Sequence, residues 1–173
     1  MKVLALCGSL RRVSMNAALL RATARLAPAG MSVIVFDGLV DLPLFNPDLE
    51  ADLPAAARSL HSAISGCDAV LIASPEYAHG VTAVIKNALD WLVSYEDFVD
   101  KRVAIFNASP RSVHADAALR ETLTTMSADI VNDACLSLPL RGLSLSEDAM
   151  VNSAHAPAIR QALITLTARG PRA

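Results

Sequence analysis

The feature of this sequence that most restricts its fold is a regular alternation of short apolar runs with longer stretches of helical period. The apolar runs have strand length and few polar residues, which is typical of strands buried on both faces of a parallel sheet. They lie at residues 3–7, 32–36, 69–73, 103–107 and within 130–138. The helix-period stretches begin near residues 16, 55, 80, 115 and 156. This alternation predicts a doubly wound α/β fold built on a parallel sheet.

The chain has the length of one ordinary domain, with 173 residues of which 53% are hydrophobic. Since no internal repeat or low-complexity linker divides it, residues 1–173 are predicted to form a single domain. The segment from residue 37 to residue 54 is rich in Pro and Asp, and is predicted to be a long surface loop without a regular element.

Charge and cysteine usage argue against several functional classes. A net charge of −2 gives no electrostatic reason to expect nucleic acid or an anionic membrane as a partner, and no segment approaches the length of a membrane span. The cysteines Cys7, Cys67 and Cys135 are widely spaced, which indicates neither a metal site nor a disulfide framework. The predicted location is therefore the reducing cytoplasm.

The first candidate site is the loop from Gly8 to Asn16, because doubly wound proteins bind ligands outside the carboxyl ends of their strands. Gly8 permits a tight turn, and Arg11 supplies a planar cation. Hydroxyl and amide groups come from Ser9, Ser14 and Asn16. With the backbone N–H groups at the helix start, these groups suit a phosphate. A plain βα loop with a Ser or Asn helix cap is the alternative.

The second loop, residues 74–80, places an acid, an aromatic ring and a histidine after the most apolar strand. Pro75 fixes the turn, and the backbone N–H groups after it can bind the edge of a planar heterocycle. Tyr77 offers a stacking face or a hydroxyl. Glu76 is either a ligand-side acid or a first-turn carboxylate favoured by the helix dipole. His79 is either a general base or a helix-start residue without a special role.

The third loop, residues 108–114, carries small residues that allow a flat ring to approach the backbone. Its Arg111 either contacts an anion, such as the phosphate of a second nucleotide, or is an ordinary surface residue. On the helix after the second loop, Asn87 and Trp91 share a face by their i, i+4 spacing. This pair is predicted to lie beside the apolar face, as an oligomer contact or as a cover for the sheet edge.

Three motifs in this order resemble the NADPH-dependent FMN reductase family, up to about residue 127. They are Gly8-Ser9-x-Arg11-x-x-Ser14-x-Asn16, Ser74-Pro75-Glu76-Tyr77 and Lys86-Asn87-Ala88-Leu89-Asp90-Trp91. The family is flavodoxin-like and includes quinone, chromate and azo-dye reductases. The resemblance therefore implies a five-stranded parallel sheet of order 2-1-3-4-5 with helices on both faces, and FMN (flavin mononucleotide) as cofactor.

The resemblance also implies roles for individual residues. The FMN phosphate end would be bound by Ser9, Arg11, Ser14, Met15 and Asn16, and the ribityl chain and ring by Pro75, Glu76, Tyr77 and Ser109. The substrate or nicotinamide side would be formed by His79, Gly80 and Arg111. Here the chain departs from the family, which often has Asn where Ala78 stands and a glycine-rich third loop.

The activity implied by the resemblance is hydride transfer from NADPH or NADH to FMN and on to a quinone-like acceptor, with no catalytic side chain. The alternatives are a reductase that supplies reduced FMN to a partner monooxygenase, and a flavodoxin-type electron carrier. The implied assembly is a homodimer or homotetramer, with residues 90–98 as a candidate contact.

Overall fold

A parallel sheet forms the centre of the computed structural model, which describes residues 1–140 and 146–168. The strands are β1 (Lys2–Cys7), β2 (Ser32–Val35), β3 (Ala69–Ala73), β4 (Arg102–Asn107), β5 (Asp129–Ile130) and β6 (Leu136–Ser137). Their order is β2-β1-β3-β4-β5, and β6 also pairs with β4. All pairs are parallel. The predicted fold class and strand order are confirmed.

Helices cover both faces of this sheet. They are α1 (Met15–Leu26), α2 (Ala55–Ser65), α3 (Ala83–Asp90), α4 (Val113–Thr125), α5 (Glu147–Val151) and α6 (Ala156–Thr167). Alternate residues of β1 join different cores: Val3 packs in the cluster that contains residues of α1 and α6, and Leu4 in the cluster that contains residues of α2, α3 and α4. Because both faces are buried, the strands are almost entirely apolar, as the sequence pattern indicated.

The fifth strand differs from its prediction. The segment 130–138 was expected to contain one strand, but it is divided into β5 and β6 by a 3₁₀ turn at Asn132–Ala134. Between the two pieces, the Ile105 N–H of β4 donates to Cys135 Sγ at 3.3 Å. A thiol therefore accepts the hydrogen bond that a strand carbonyl would otherwise accept.

The segment between β2 and α2 also differs from its prediction as an irregular surface loop. It contains two 3₁₀ helices, Asp37–Asp41 and Pro47–Leu49. Leu39 and Leu42 are buried in the same core cluster as α2. These two leucines help to attach the segment to the core, despite its Pro and Asp content.

Trp91 is a core residue, contrary to its predicted place beside the apolar face of its helix. It is 1% exposed, and its ring N–H donates to the Pro43 carbonyl at 2.8 Å. Asn87 donates to the same carbonyl at 3.0 Å and accepts from the Phe45 N–H at 2.9 Å. The pair therefore fastens the segment around Pro43 to α3, which leaves almost no surface of Trp91 for a second subunit.

No helix within residues 1–140 or 146–168 has both the length and the apolar character that a membrane crossing needs.

Candidate functional site

Three loops meet in one cleft at the carboxyl edge of the sheet. They follow β1, β3 and β4, which the sheet order places side by side. The cleft is lined by Met15, Asn16, Ser74, Pro75, Glu76, Asn107, Ala108, Ser109 and Ser112. Five predicted site residues are thus brought together, namely Met15, Asn16, Pro75, Glu76 and Ser109. The other predicted residues belong to the same loops but do not line the cleft. They are Ser9, Arg11, Ser14, Tyr77, His79, Gly80 and Arg111.

Gly8 is needed for a close approach between two of these loops. A Cβ atom at this position would lie 2.2 Å from Ser74 Oγ and 2.9 Å from Ile85 Cγ1. Its N–H donates to the Ala73 carbonyl at 2.8 Å, which continues the β1–β3 pairing into the loops. Gly8 does not have a positive φ, so the lack of space beside Ser74, rather than a left-handed backbone, requires a glycine here. The first loop rests directly on the second.

Ser14 caps helix α1. Its backbone is extended (φ −133°), and its hydroxyl accepts from the Ala17 N–H at 3.3 Å. The alternative of a serine helix cap is therefore correct for this residue. A helix that begins here also directs unused backbone N–H groups and the positive end of its dipole at the cleft, where an anion is favoured.

Asn16 has a buried side-chain oxygen that lacks a hydrogen-bond partner among the described residues. The residue as a whole is 7% exposed. An unpaired buried acceptor costs about 1–3 kcal/mol. The cleft that Asn16 lines is therefore suited to a ligand that donates a hydrogen bond there. The ribityl hydroxyls of FMN are such donors, and its phosphate suits the adjoining helix start, so these residues fit the cofactor.

Cys7, next to the cleft, is unsuited to nucleophilic chemistry. Burial raises the pKa of its thiol, and the sulfur donates to the Ser9 carbonyl at 3.6 Å. The thiol is therefore protonated at neutral pH and is committed to the loop backbone.

The second loop ends in a two-residue turn. Tyr77 and Gly80 exchange backbone hydrogen bonds at 3.3 and 2.9 Å, and both central residues are left-handed, Ala78 at φ +49° and His79 at φ +59°. Such a turn favours Asn or Gly, so these two side chains are strained. The turn also explains why α3 begins at Ala83, with Thr82 as its cap, rather than near Gly80.

Glu76 caps a helix other than its own. Its Oε2 accepts from the Ala115 N–H at 2.8 Å, in the first turn of α4. Ser112, at the N-cap position of α4, makes no side-chain capping bond. One alternative from the sequence was a Glu76 carboxylate at the start of the next helix, α3. The structure places this carboxylate at a helix start, but the helix is α4. The bond instead ties the second loop to the third.

Asn107 organises the third loop, although it was absent from the predicted site residues. Its Oδ1 accepts from the Ser109 N–H at 3.0 Å, and its Nδ2 donates to the Ser112 carbonyl at 3.2 Å. The signal in the sequence was an amide at the last position of an apolar strand. A second unpredicted contact is the His114 ring, which stacks on His79 with centroids 4.0 Å apart.

The exposed predicted residues surround the cleft. Tyr77 is 54% exposed, and Arg11, His79 and Arg111 are exposed as well. Within the described parts of the chain, no three His, Cys, Asp or Glu side chains come together in the way a metal site would require.

Comparisons with known proteins point to one family. Residues 1–141 match the model of a family described as NADPH-dependent FMN reductase. An NAD(P)H-dependent FMN reductase of Pseudomonas aeruginosa is 36% identical over 137 residues, which cover 76% of this chain and 74% of the relative. A quinone reductase of Escherichia coli K12 is 32% identical over 139 residues, with the same two coverages.

A solved structure agrees as well. The flavoenzyme FerB of Paracoccus denitrificans, an NAD(P)H:(acceptor) oxidoreductase, superposes with a TM-score of 0.77 at 25% identity, covering 96% of this chain and 94% of FerB. Taken with the family match over residues 1–141, the chain belongs to the NADPH-dependent FMN reductase family of oxidoreductases.

Proposed function

We propose that this protein, acting as a single domain, passes two electrons from NAD(P)H through FMN to a quinone-like small molecule. The observation that carries the proposal is the buried, unpaired oxygen of Asn16 in a cleft shared by three loops. The quinone-like acceptor is suggested by the quinone reductases among the relatives, including 2-hydroxy-1,4-benzoquinone reductase of Burkholderia, 42% identical over 91 residues.

The first loop holds the phosphate end of the cofactor in this proposal. Arg11 and Ser9 supply side-chain donors, and the start of α1, at Ser14 and Met15, supplies backbone donors and a partial positive charge. Asn16 accepts a hydrogen bond from the ribityl chain. The phosphate and the ribityl chain of FMN are thus bound by different atoms of the short segment 9–16.

The second and third loops hold the ring end. Pro75 and Ser109 line the cleft from opposite sides, and Glu76 fixes the separation of these sides through Ala115. When bound, FMN supplies the hydride chemistry, so the chain itself has to bind, orient and expose the ring. Tyr77 lies at the open side, where a nicotinamide or an acceptor arrives.

The residues that depart from the family pattern are placed on the acceptor and nicotinamide side. His79 and Gly80 belong to the turn that ends the second loop, and the His79 ring is stacked on His114 of the third loop. Arg111 lies on the third loop. Differences among relatives in what they reduce are expected to come from these positions rather than from the residues at the phosphate end.

A homodimer or homotetramer in the cytoplasm completes the proposal. Of the expected contact region 90–98, Phe98 is buried and only Val93, 59% exposed, offers a large apolar surface. Leu44 is 83% exposed and lies on the segment that Asn87 and Trp91 fasten to α3. Burial of these two side chains between subunits is favourable. Light scattering that gives a monomer at all concentrations would contradict the assembly.

Anaerobic titration tests the function. The purified protein should bind FMN, NAD(P)H should bleach the bound flavin, and 1,4-benzoquinone should restore its colour. Absence of FMN binding would overturn the cofactor assignment. Bleaching that the quinone does not reverse would overturn the acceptor class.

A matched substitution tests the observation on Asn16. Asn16→Leu keeps the shape of the side chain but removes the unpaired oxygen. We expect FMN to bind at least about tenfold more weakly, while the FMN-free protein unfolds at an unchanged or higher temperature because no unpaired acceptor is left. Unchanged FMN affinity would refute the role of Asn16.

A further inference from the structure

The loops that form the cleft carry arginines with no ion-pair partner among the described residues. Arg11 and Arg12 in the first loop and Arg111 in the third are exposed. Most other arginines among the described residues form ion pairs with carboxylates, namely Arg21, Arg25, Arg58, Arg102 and Arg120. In residues 1–140 and 146–168, the unpaired arginines are Arg11, Arg12, Arg111 and Arg160. Three of these four lie on the loops that form the cleft.

No nearby acid neutralises these arginines. Glu76 is the one carboxylate on the described cleft loops, and it already accepts a hydrogen bond from the Ala115 N–H. Asp116, one helical turn into α4, pairs with Arg120 at 2.7 Å. The described cleft loops therefore carry more positive than negative side chains, on a chain whose net charge is −2. A local excess of one sign at a cleft attracts ligands of the other sign.

Arg11 and Arg111 stand on different loops of the cleft, the first and the third. In the proposed function, the FMN phosphate lies at the start of α1, on the loop that carries Arg11. Arg111 lies between Ser109 and Ser112, both of which line the cleft on the side of the third loop. Asn107 bonds to the backbone at both ends of this short turn, so the backbone that carries Arg111 is held on either side.

We propose that Arg111 binds the 2′-phosphate of NADPH and makes this protein prefer NADPH to NADH. The inference rests on the proposed function. A 2′-phosphate is a terminal dianion that a planar guanidinium can bind with two hydrogen bonds, whereas each pyrophosphate group carries one charge. An arginine in the same role distinguishes NADP from NAD in dinucleotide-binding folds. The exposed position of Arg111 suits a 2′-phosphate, because that group lies on the adenosine, at the opposite end of the dinucleotide from the nicotinamide.

The test compares two charge-removing variants of the FMN-loaded protein. For Arg111→Gln, kcat/KM with NADPH should fall about tenfold or more, and kcat/KM with NADH should change less than about twofold. Arg160→Gln removes the same charge from an exposed, unpaired position on α6, and should leave both values unchanged. An equal loss with both dinucleotides would overturn the 2′-phosphate assignment, as would no loss with either.

A binding measurement separates this inference from the proposed function. Adenosine 2′,5′-bisphosphate carries the 2′-phosphate without a nicotinamide, so calorimetry detects its binding without any turnover. It should bind the unmodified protein, and it should bind the Arg111→Gln variant at least about tenfold more weakly. Equal binding to both proteins would refute the role of Arg111, even if NADPH reduces the flavin. Failure of NADPH and NADH to bleach the flavin would instead refute the proposed function.

Discussion

The bond from Ala115 N–H to Glu76 makes a specific prediction about stability. Glu76→Gln keeps an acceptor oxygen in place but removes its charge, whereas Glu76→Ala removes both. A hydrogen bond to a charged group contributes about 1.5–3 kcal/mol and a neutral one about 0.5–1.5 kcal/mol. The Gln variant should therefore lose about 1 kcal/mol of unfolding free energy, mainly the interaction of the charge with the start of α4.

The Ala variant should lose about 2 kcal/mol, because a buried N–H at a helix start is left without its cap. Ala115 is 6% exposed, so water replaces the lost acceptor poorly. Urea unfolding of the FMN-free protein measures both losses. With slopes of about 1–3 kcal/mol per molar urea, the midpoints should fall by about 0.5 M for Gln and about 1 M for Ala, with unchanged slopes.

Glu121→Gln is the matched control, because Glu121 lies exposed on the same helix and its carboxylate makes none of the ion pairs found in the described chain. Its midpoint should stay at the wild-type value. FMN titration adds a second measurement: Glu76→Ala should bind FMN more weakly than Glu121→Gln, since the two sides of the cleft are no longer joined. Equal midpoints for Glu76→Gln, Glu76→Ala and wild type would refute the capping role.

Two further substitutions test the backbone of the site. Gly8→Ala should destabilise the protein by about 1–3 kcal/mol and weaken FMN binding, because the new methyl group overlaps Ser74; a thermal midpoint equal to wild type would contradict this close contact. Ala78→Gly should stabilise it by about 0.5–1 kcal/mol, because glycine adopts φ +49° without strain and this gain exceeds its extra entropy in the unfolded chain. A lower unfolding free energy in Ala78→Gly would argue against the left-handed turn.

The sheet and most helices could be predicted because their signals are local. The third strand at 69–73 and the helix at 55–65 have the predicted bounds. A buried parallel strand is a continuous apolar run and an amphipathic helix has a fixed period, so each is visible within its own segment. The position of the cleft followed from the same pattern, since parallel strands end at one edge.

The contacts that shape the cleft could not be predicted, because each joins distant segments. Ala115 follows Glu76 by 39 positions, and no property of Glu76 indicates which helix it caps. Gly8 was recognised as special, but the reason lay in Ser74 and Ile85 rather than in its own backbone. The divided fifth strand depends on Cys135, whose ability to replace a strand carbonyl is not visible in an apolar run.

The divided outer strand also has a consequence for solubility. An unpaired sheet edge presents a row of N–H and C=O groups on which a strand from another molecule can add. Here that edge consists of β5 and β6, each two residues long and separated by a 3₁₀ turn. Among the described residues, no uninterrupted row of the length of an ordinary strand remains along this side. Strand addition between copies of the chain at this edge is therefore disfavoured. The break protects a parallel sheet with strongly apolar strands from aggregation through this edge.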